Sequence, residues 1–367
     1  MKKYNNLYIA ATSQHVGKTT STLGLVSAFI KKGLNVGYSK PVGQKVLDFA
    51  DLKVDKDTVL FADLLHFDIL PELHSPVILG TGATERYLDH PKKFDFAKRV
   101  RNAEKKLSEM HELVIYEGTG HPGVGSVANM SNATVAKLVN ANVIMVVEGG
   151  IGSTIDMLNM CSALFREKKV NIMGVILNKV IPEKRDKVEY YVNKWFQQNK
   201  LHLLGIIPYE KTLAYPIIRS IKEVIDGTIE YGEKFIDNSV GNILAGSLIG
   251  LSELKSNENL LLLVSTKSLS SAINKIKWLT EIYSIDHCPL SGIVITGPGN
   301  IDFRTRKYIR DNNLPVIRTE LDTYGAVIKI SKLEVKINTN TPWKVEKAID
   351  LIEKNIDLDY ILDKSKL

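Results

Sequence analysis

The chain has 367 residues, 44% hydrophobic and 24% charged, with 12 prolines and 25 glycines dispersed along it, which excludes a disordered chain and points to two folded domains. Lys and Arg exceed Asp and Glu by 48 to 41, a net +7, yet basic residues alternate with acidic ones, so the charge describes solvated helix faces and argues against nucleic acid. Cys161 and Cys288 lack metal or disulfide spacing, the amino-terminal apolar run is too short for a signal peptide, and no membrane-spanning stretch occurs; a cytoplasmic location is expected.

In chain order, short apolar runs alternate with helical patterns. Residues Leu7 to Ala11 read as a strand, followed by a helix from Thr19 to Lys32. Asn35 to Ser39 and Leu113 to Glu117 are the next strands, followed by helices at Thr58 to Leu65 and Asn132 to Val139. Strands at Val143 to Val147, Met173 to Asn178 and Leu203 to Ile207 continue the rhythm, with helices near Ile155 to Glu167 and Arg185 to Gln198 between them. Near-continuous apolar runs joined by helices are the pattern of parallel strands buried on both faces. The fold class is α/β, a doubly wound, mostly parallel sheet over residues 1–214.

The alternation repeats on a smaller scale over residues 215–335, with strands near Leu260 to Val264, Gly292 to Thr296 and Pro315 to Thr319. Helices are expected at Leu269 to Tyr283 and around Phe303 to Asp311. Residues 336–367 read as a terminal helix and a frayed tail.

The first strand runs into the first helix through Thr12-Ser13-Gln14-His15-Val16-Gly17-Lys18-Thr19-Thr20. A strand turning into a helix this way presents backbone N–H groups and the positive end of the helix dipole to phosphate oxygens. Lys18 would reach the terminal phosphates and the Thr19 hydroxyl would ligate magnesium. Thr12 stands where a full GxxxxGK[ST] loop has its first glycine. The nucleotide-binding candidates in this loop are Thr12, His15, Val16, Gly17, Lys18, Thr19 and Thr20. Lys40 leaves the carboxyl end of the second strand and so points to the ligand crevice of an open sheet, although a solvated surface lysine fits the same pattern. Glu117 ends the third strand before the glycine-rich Gly118-Thr119-Gly120 and offers a carboxylate to magnesium.

The ordered motifs ATSQHVGKT, YSKPVG, VDKDTVLF, VIYEGTG, GVILNKV and LLGIIPYE resemble those of dethiobiotin synthetases, and of the region similar to them at the amino end of some long bacterial phosphotransacetylases. The resemblance covers about residues 4–212. It implies ATP and Mg2+ as cofactors, with magnesium at Thr19, Asp57 and Glu117 and Asp55 as a rival for Asp57. It implies that Asn178 bonds the adenine edge, with a turn-forming asparagine as the alternative, and that Pro208 flanks the base. Lys18, Lys40 and Glu117 would be catalytic, Lys40 matching the lysine that stabilises a carbamate and its phosphorylated form. Ser13, His15 and Gln44 depart from the family where its acceptor is read. His121 has two readings, a base or phosphate contact and a turn cap. In the GGIGSTID stretch, Ser153 or Thr154 would cap a helix or touch substrate.

Residues 215–335 resemble a DRTGG domain through SVGNILAGSL, GIVITGP and LPVIRT. That resemblance implies a ligand-sensing or dimerising module; a packing domain without ligand is the alternative. The residues after 335 are too few for a phosphotransacetylase catalytic domain, so acetyl transfer is not expected. Ser13 and Gln14 stand where a partitioning ATPase would carry a lysine. Two functions remain: an ADP-forming ligase acting on a small carboxylate or carbamate, and an ATP sensor whose DRTGG-like domain controls a partner enzyme. The implied partners are nucleotide, an unidentified small molecule and a second copy in a homodimer, with neither nucleic acid nor membrane.

Overall fold

The computed structural model describes every residue except 1–2, 50–51, 246–248, 250–253, 255–257, 334, 336 and 339. Residues 246–248, the end of SVGNILAGSL, thus lie outside the described residues. Two units are present: Met1–Glu210 with Ile337–Leu367, and Lys211–Lys336.

The first unit is built on β1 (Asn6–Ala11), β2 (Val36–Ser39), β3 (Val42–Gly43), β4 (Val46–Phe49), β5 (Leu52–Asp55), β6 (Val77–Ile78), β7 (Leu113–Glu117), β8 (Ala141–Glu148), β9 (Ile172–Val180) and β10 (Leu203–Pro208). Its helices before the second unit are α1 (Lys18–Lys31), α2 (Lys56–Leu65), α3 (Pro71–His74), α4 (Ala83–Asp89), α5 (Phe96–Met110), α6 (Asn132–Leu138), α7 (Gly152–Glu167) and α8 (Arg185–Asn199). Six strands form one sheet in the order β10-β9-β8-β1-β7-β2, all parallel. The cause is visible in side chains such as Leu7, Ile9, Ile115, Ile144 and Ile176, fully buried because helices cover both faces. β1 lies where the winding reverses: α1 carries the chain toward β2 on one side, while β8 pairs on the other. The carboxyl end of β1 is therefore the topological switch point, the usual ligand crevice of such a sheet.

Beside the sheet, β4 and β5 pair antiparallel and β3 and β6 pair parallel. Neither pair was read from the sequence, nor was α5. Yet α5 buries Phe96, Val100, Ala103 and Leu107 at helical spacing, with Asp95 accepting the Lys98 N–H as its cap.

Where a frayed tail was expected, the last residues form two helices that close the first unit. Pro342–Asn355 buries Ala348, Leu351 and Ile352, and Leu358–Ser365 buries Leu358 and Ile361. The longer helix lies on α1 at Gly24, where a Cβ would come within 2.3 Å of Ile352 Cγ1 and 3.1 Å of the Ala348 carbonyl oxygen. Surface ion pairs Lys31–Glu353 and Lys32–Asp359, both at 2.7 Å, flank this contact. Such pairs contribute at most about 1 kcal/mol each, whereas one buried Ile or Leu side chain contributes about 1.5–3 kcal/mol, so packing holds the helix down.

The second unit has its own five-stranded sheet: β11 (Thr228–Tyr231), β12 (Asn242–Ala245), β13 (Leu260–Ser265), β14 (Leu290–Thr296) and β15 (Val316–Thr319). Their order is β11-β15-β14-β13-β12, parallel except at the β11 edge. Alternate residues of β13 point to opposite faces. Leu260, Leu262 and Val264 meet Leu269, Ile273 and Ile276 of the helix Thr266–Ile282, while Leu261 and Leu263 meet Ile218, Ile221, Ala326 and Ile330. This is a second α/β sandwich, as the repeated alternation implied. Among the described residues, no helix is long and apolar enough to cross a membrane.

The Gly24 contact yields a first prediction. Gly24→Val must push the penultimate helix from α1, and overpacking of this kind costs about 1–3 kcal/mol. A lower urea midpoint at unchanged slope is the expected result.

Candidate functional site

The loop from β1 to α1 begins at Thr12, buried and donating its N–H to the Val146 carbonyl at 3.2 Å. It ends at Gly17, the residue before α1, with φ of 91°. A side chain is doubly excluded here: the backbone is left-handed, and a Cβ would lie 2.0 Å from Asn178 Nδ2. No side chain caps α1 and its first turn has no acidic residue, so the positive end of the helix is left to an anion. Lys18 is the first residue of that turn, followed by Thr19 and Thr20.

Asn178 approaches the loop from the end of β9. Its Nδ2 donates to the Val16 carbonyl at 2.8 Å, and its Oδ1 accepts the Lys179 N–H at 2.9 Å. Lys179 Nζ donates to the His15 carbonyl at 2.6 Å, where His15 itself has φ of 62°. The two residues clamp the loop backbone from β9, the next strand but one to β1, a contact that depends on strand order and carries no local sequence signal. Pro208 lies half-buried at the end of β10, in register with Val180.

On the other side of β1, the carboxyl ends of β7 and β2 bring charges together. Thr19 Oγ1 donates to Glu117 Oε1 at 2.8 Å, and the Tyr38 hydroxyl donates to Oε2 at 3.3 Å. Glu117 is fully buried. Burial, then the charge of Asp57, lifts its carboxyl above the usual range, while Lys40 and Lys18 draw it back down. Lys40 is also buried, and its ammonium pairs with Asp55 Oδ1 at 2.9 Å and with Asp57 Oδ2. Burial opposes that charge, but Asp57, Glu117 and Asp55 outweigh it, so its pKa is raised. Lys40 is not a surface lysine in this structure.

The two rival aspartates differ in their bonding. Asp55 precedes α2 and accepts N–H groups from Asp57 at 3.0 Å, Gln44 at 3.0 Å and Lys45 at 3.3 Å. Asp55 therefore ties the turn after β3 to α2 as well as to Lys40. Asp57, with 14% of its side chain exposed against 1% for Asp55, faces the crevice more openly.

The loop after Glu117 is fixed by Asn132 at the start of α6. Its Oδ1 accepts from the Tyr8 hydroxyl at 2.7 Å and the Thr119 N–H at 2.9 Å, and its Nδ2 donates to the carbonyls of Thr119 and His121. His121 Nδ1 accepts the Gly123 N–H at 3.2 Å, the turn-cap geometry. In the GGIGSTID stretch, α7 starts after Ile151 without a side-chain cap, and Thr154 instead donates to the Glu148 carbonyl at 2.7 Å. Capping by Ser153 or Thr154 is corrected accordingly: the cap position is Ile151, two residues before Ser153 and three before Thr154. Among the described residues, no group of three or more His, Cys, Asp or Glu side chains is arranged to hold a metal ion. Magnesium at a nucleotide needs none, since one or two carboxylates and the phosphates commonly hold it.

His74 supports this region from below, its carbonyl accepting the Lys40 N–H at 2.9 Å and its Nδ1 accepting the Leu70 N–H at 3.0 Å. Burial, then the charge of His111, lowers its pKa from 6.5 to about 4. The unfolded chain thus takes up this proton at higher pH than the folded one, and stability falls as pH drops from about 6.5 toward about 4. Urea titrations between about pH 7 and about pH 4.5 should show wild type losing of the order of 2–3 kcal/mol more than His74→Gln over this window.

The family model described as an AAA domain, AAA_26, matches residues 5–216. Phosphate acetyltransferase of Synechocystis sp. is 20% identical over 376 residues, 99% of this chain and 52% of that protein. Phosphate acetyltransferase of Pseudomonas putida is 24% identical over 371 residues, 96% of this chain and 51% of that protein. The chain thus spans about half the length of these relatives. ATP-dependent dethiobiotin synthetase BioD of Clostridium kluyveri is 25% identical over 233 residues, 60% of this chain and 86% of that protein. Among solved structures, the MinD cell division protein of Aquifex aeolicus matches with a TM-score of 0.39 at 18% identity, over 57% of this chain and 84% of that one. With its phosphate-loop geometry and a family match from Asn5 to Pro216, more than half of its length, the chain belongs to the AAA domain family AAA_26.

Proposed function

We propose that the chain binds ATP with Mg2+ at the loop between β1 and α1 and transfers the terminal phosphoryl group to a small carboxylate or carbamate, as an ADP-forming ligase. The observation that carries this reading is one constellation: an uncapped helix start bearing Lys18, the Thr19–Glu117 hydrogen bond, and a buried, charged Lys40 across the crevice. Lys18 meets the terminal phosphates. Thr19, Glu117 and the more open Asp57 supply the hard oxygen donors that magnesium takes, and magnesium there would neutralise phosphate charge. Lys40 is a fixed positive charge at a strand end, placed to stabilise charge developing on the phosphorylated acceptor. Thr12, His15, Val16, Gly17 and Thr20 form the phosphate-facing backbone. Asn178 is a positioning residue through its bond to Val16, and Pro208 flanks the base. A cytoplasmic homodimer belongs to the same reading, by resemblance to dethiobiotin synthetases.

A second reading is a regulatory ATP sensor whose DRTGG-like second unit controls a partner enzyme. It is favoured by the likeness to phosphate acetyltransferases, which covers 99% of this chain, second unit included.

Calorimetry with ATP and Mg2+ tests the shared premise: Lys18→Ala should weaken ATP binding by at least about tenfold. Undiminished affinity would remove the loop as the nucleotide site. The ligase makes a further demand on Lys40→Ala and on the charge-conserving Lys40→Arg, both checked for folding by circular dichroism. Lys40→Ala should keep its ATP affinity and lose about 100-fold or more of substrate-stimulated ADP release. The stimulating molecule comes from a screen of small carboxylates and of diamines with bicarbonate. Tight ATP binding with no stimulation across that set selects the sensor.

A further inference from the structure

The segment between α2 and β7 contributes little to the phosphate site, yet it encloses most of a cleft of ≈ 860 Å³ in the first unit. That volume lies within the usual range for small-molecule sites. Leu73, Pro76, Phe96 and Ala103 are buried in its floor, and Phe94 is half-buried beside them. Phe94 and Phe96 stack with centroids 5.3 Å apart, and Tyr87 packs on both rings.

The mouth is of opposite character. Lys53, Arg86, Arg99, Lys105 and Lys106 line it and are exposed, against the two carboxylates Glu72 and Glu109. Arg99, though exposed, leans on the floor: its guanidinium carbon lies 5.9 Å from the centroid of the Phe96 ring. Neither Arg86 nor Arg99 makes an ion pair among the described residues. Two arginines that line the cleft without ion-pair partners among the described residues, one of them over the Phe96 ring, match a ligand with an ionised head and an apolar body. A bare inorganic anion would leave the floor uncovered, and a neutral apolar molecule would leave the cations unused. Guanidinium forks favour planar carboxylates.

We propose that this cleft binds a small organic carboxylate, its acid group at Arg86 and Arg99 and its short alkyl chain or aromatic ring against Phe94, Phe96 and Leu73. The site is separate from the phosphate loop, although the two are neighbours. Ser75 lines the cleft, and its hydroxyl accepts the N–H of Asp55, the carboxylate partner of Lys40, at 3.2 Å.

Calorimetry on the full chain without nucleotide, using hexanoate and phenylacetate as probes, tests the proposal. Saturable binding is expected, at least about tenfold weaker in Arg86→Ala/Arg99→Ala, partly restored in Arg86→Lys/Arg99→Lys and unchanged in Lys18→Ala. Ala83→Trp, which fills the cleft from α4, should abolish it, with circular dichroism confirming that every variant is folded. Absence of saturable binding by either acid overturns the proposal, as does binding that survives the double alanine variant or disappears in Lys18→Ala. Equal binding of hexanol overturns the anionic part, and equal binding of inorganic phosphate overturns the apolar part. The Lys18→Ala arm separates this result from the fate of the ATP assignment.

Discussion

A buried ammonium needs counter-charges, and Lys40 organises one side of the first unit around that need. Leaving an ion of this kind unpaired costs several kcal/mol, so the folded chain must bring carboxylates to the end of β2. It does so with Asp55 and Asp57, which begin α2, while Glu117 arrives from β7. Asp55 then spends its remaining acceptor capacity on the backbone of Gln44, Lys45 and Asp57, which fixes the turn after β3. Tyr38, stacked on Phe61 at 3.8 Å, reaches Glu117 from the same side. The chemistry proposed for the crevice and the local fold of residues 40–61 are therefore two aspects of one charge arrangement.

The opposite wall of the phosphate loop is held by side chains that donate to its backbone carbonyls. Asn178 and Lys179 bind carbonyls of Val16 and His15, so the left-handed geometry at His15 and Gly17 is supported by the next strand but one. A loop held in this way has less conformational freedom to lose when an anion arrives, which favours binding through preorganisation.

Much of this was legible in the sequence for a physical reason. Strands buried on both faces leave unbroken apolar runs, so β7 was read to the residue and β1, β8 and β9 within two or three. The phosphate loop, Lys40 and Glu117 were legible because strand ends in such sheets face the crevice. What escaped had either a weak pattern or a non-local cause. The exposed edge strand β11 buries none of its residues, and the β4–β5 hairpin is short. α5 did carry a legible signal, Phe96, Val100, Ala103 and Leu107, and with it the cleft was overlooked. Pairing of Lys40 with both aspartates, and of Asn178 with Val16, depends on tertiary neighbours that no local motif encodes.

The return of residues 337–367 to the first unit makes the second unit an insertion in the order of synthesis. A ribosome completes Lys211–Lys336 before it makes the helix that packs on α1 at Gly24. The second unit is thus able to finish folding while the first still exposes the apolar stripe of α1, and domains generally do fold as units during synthesis. Until Ala348 and Ile352 emerge, that stripe is a surface for chaperones to hold or for neighbouring chains to stick to.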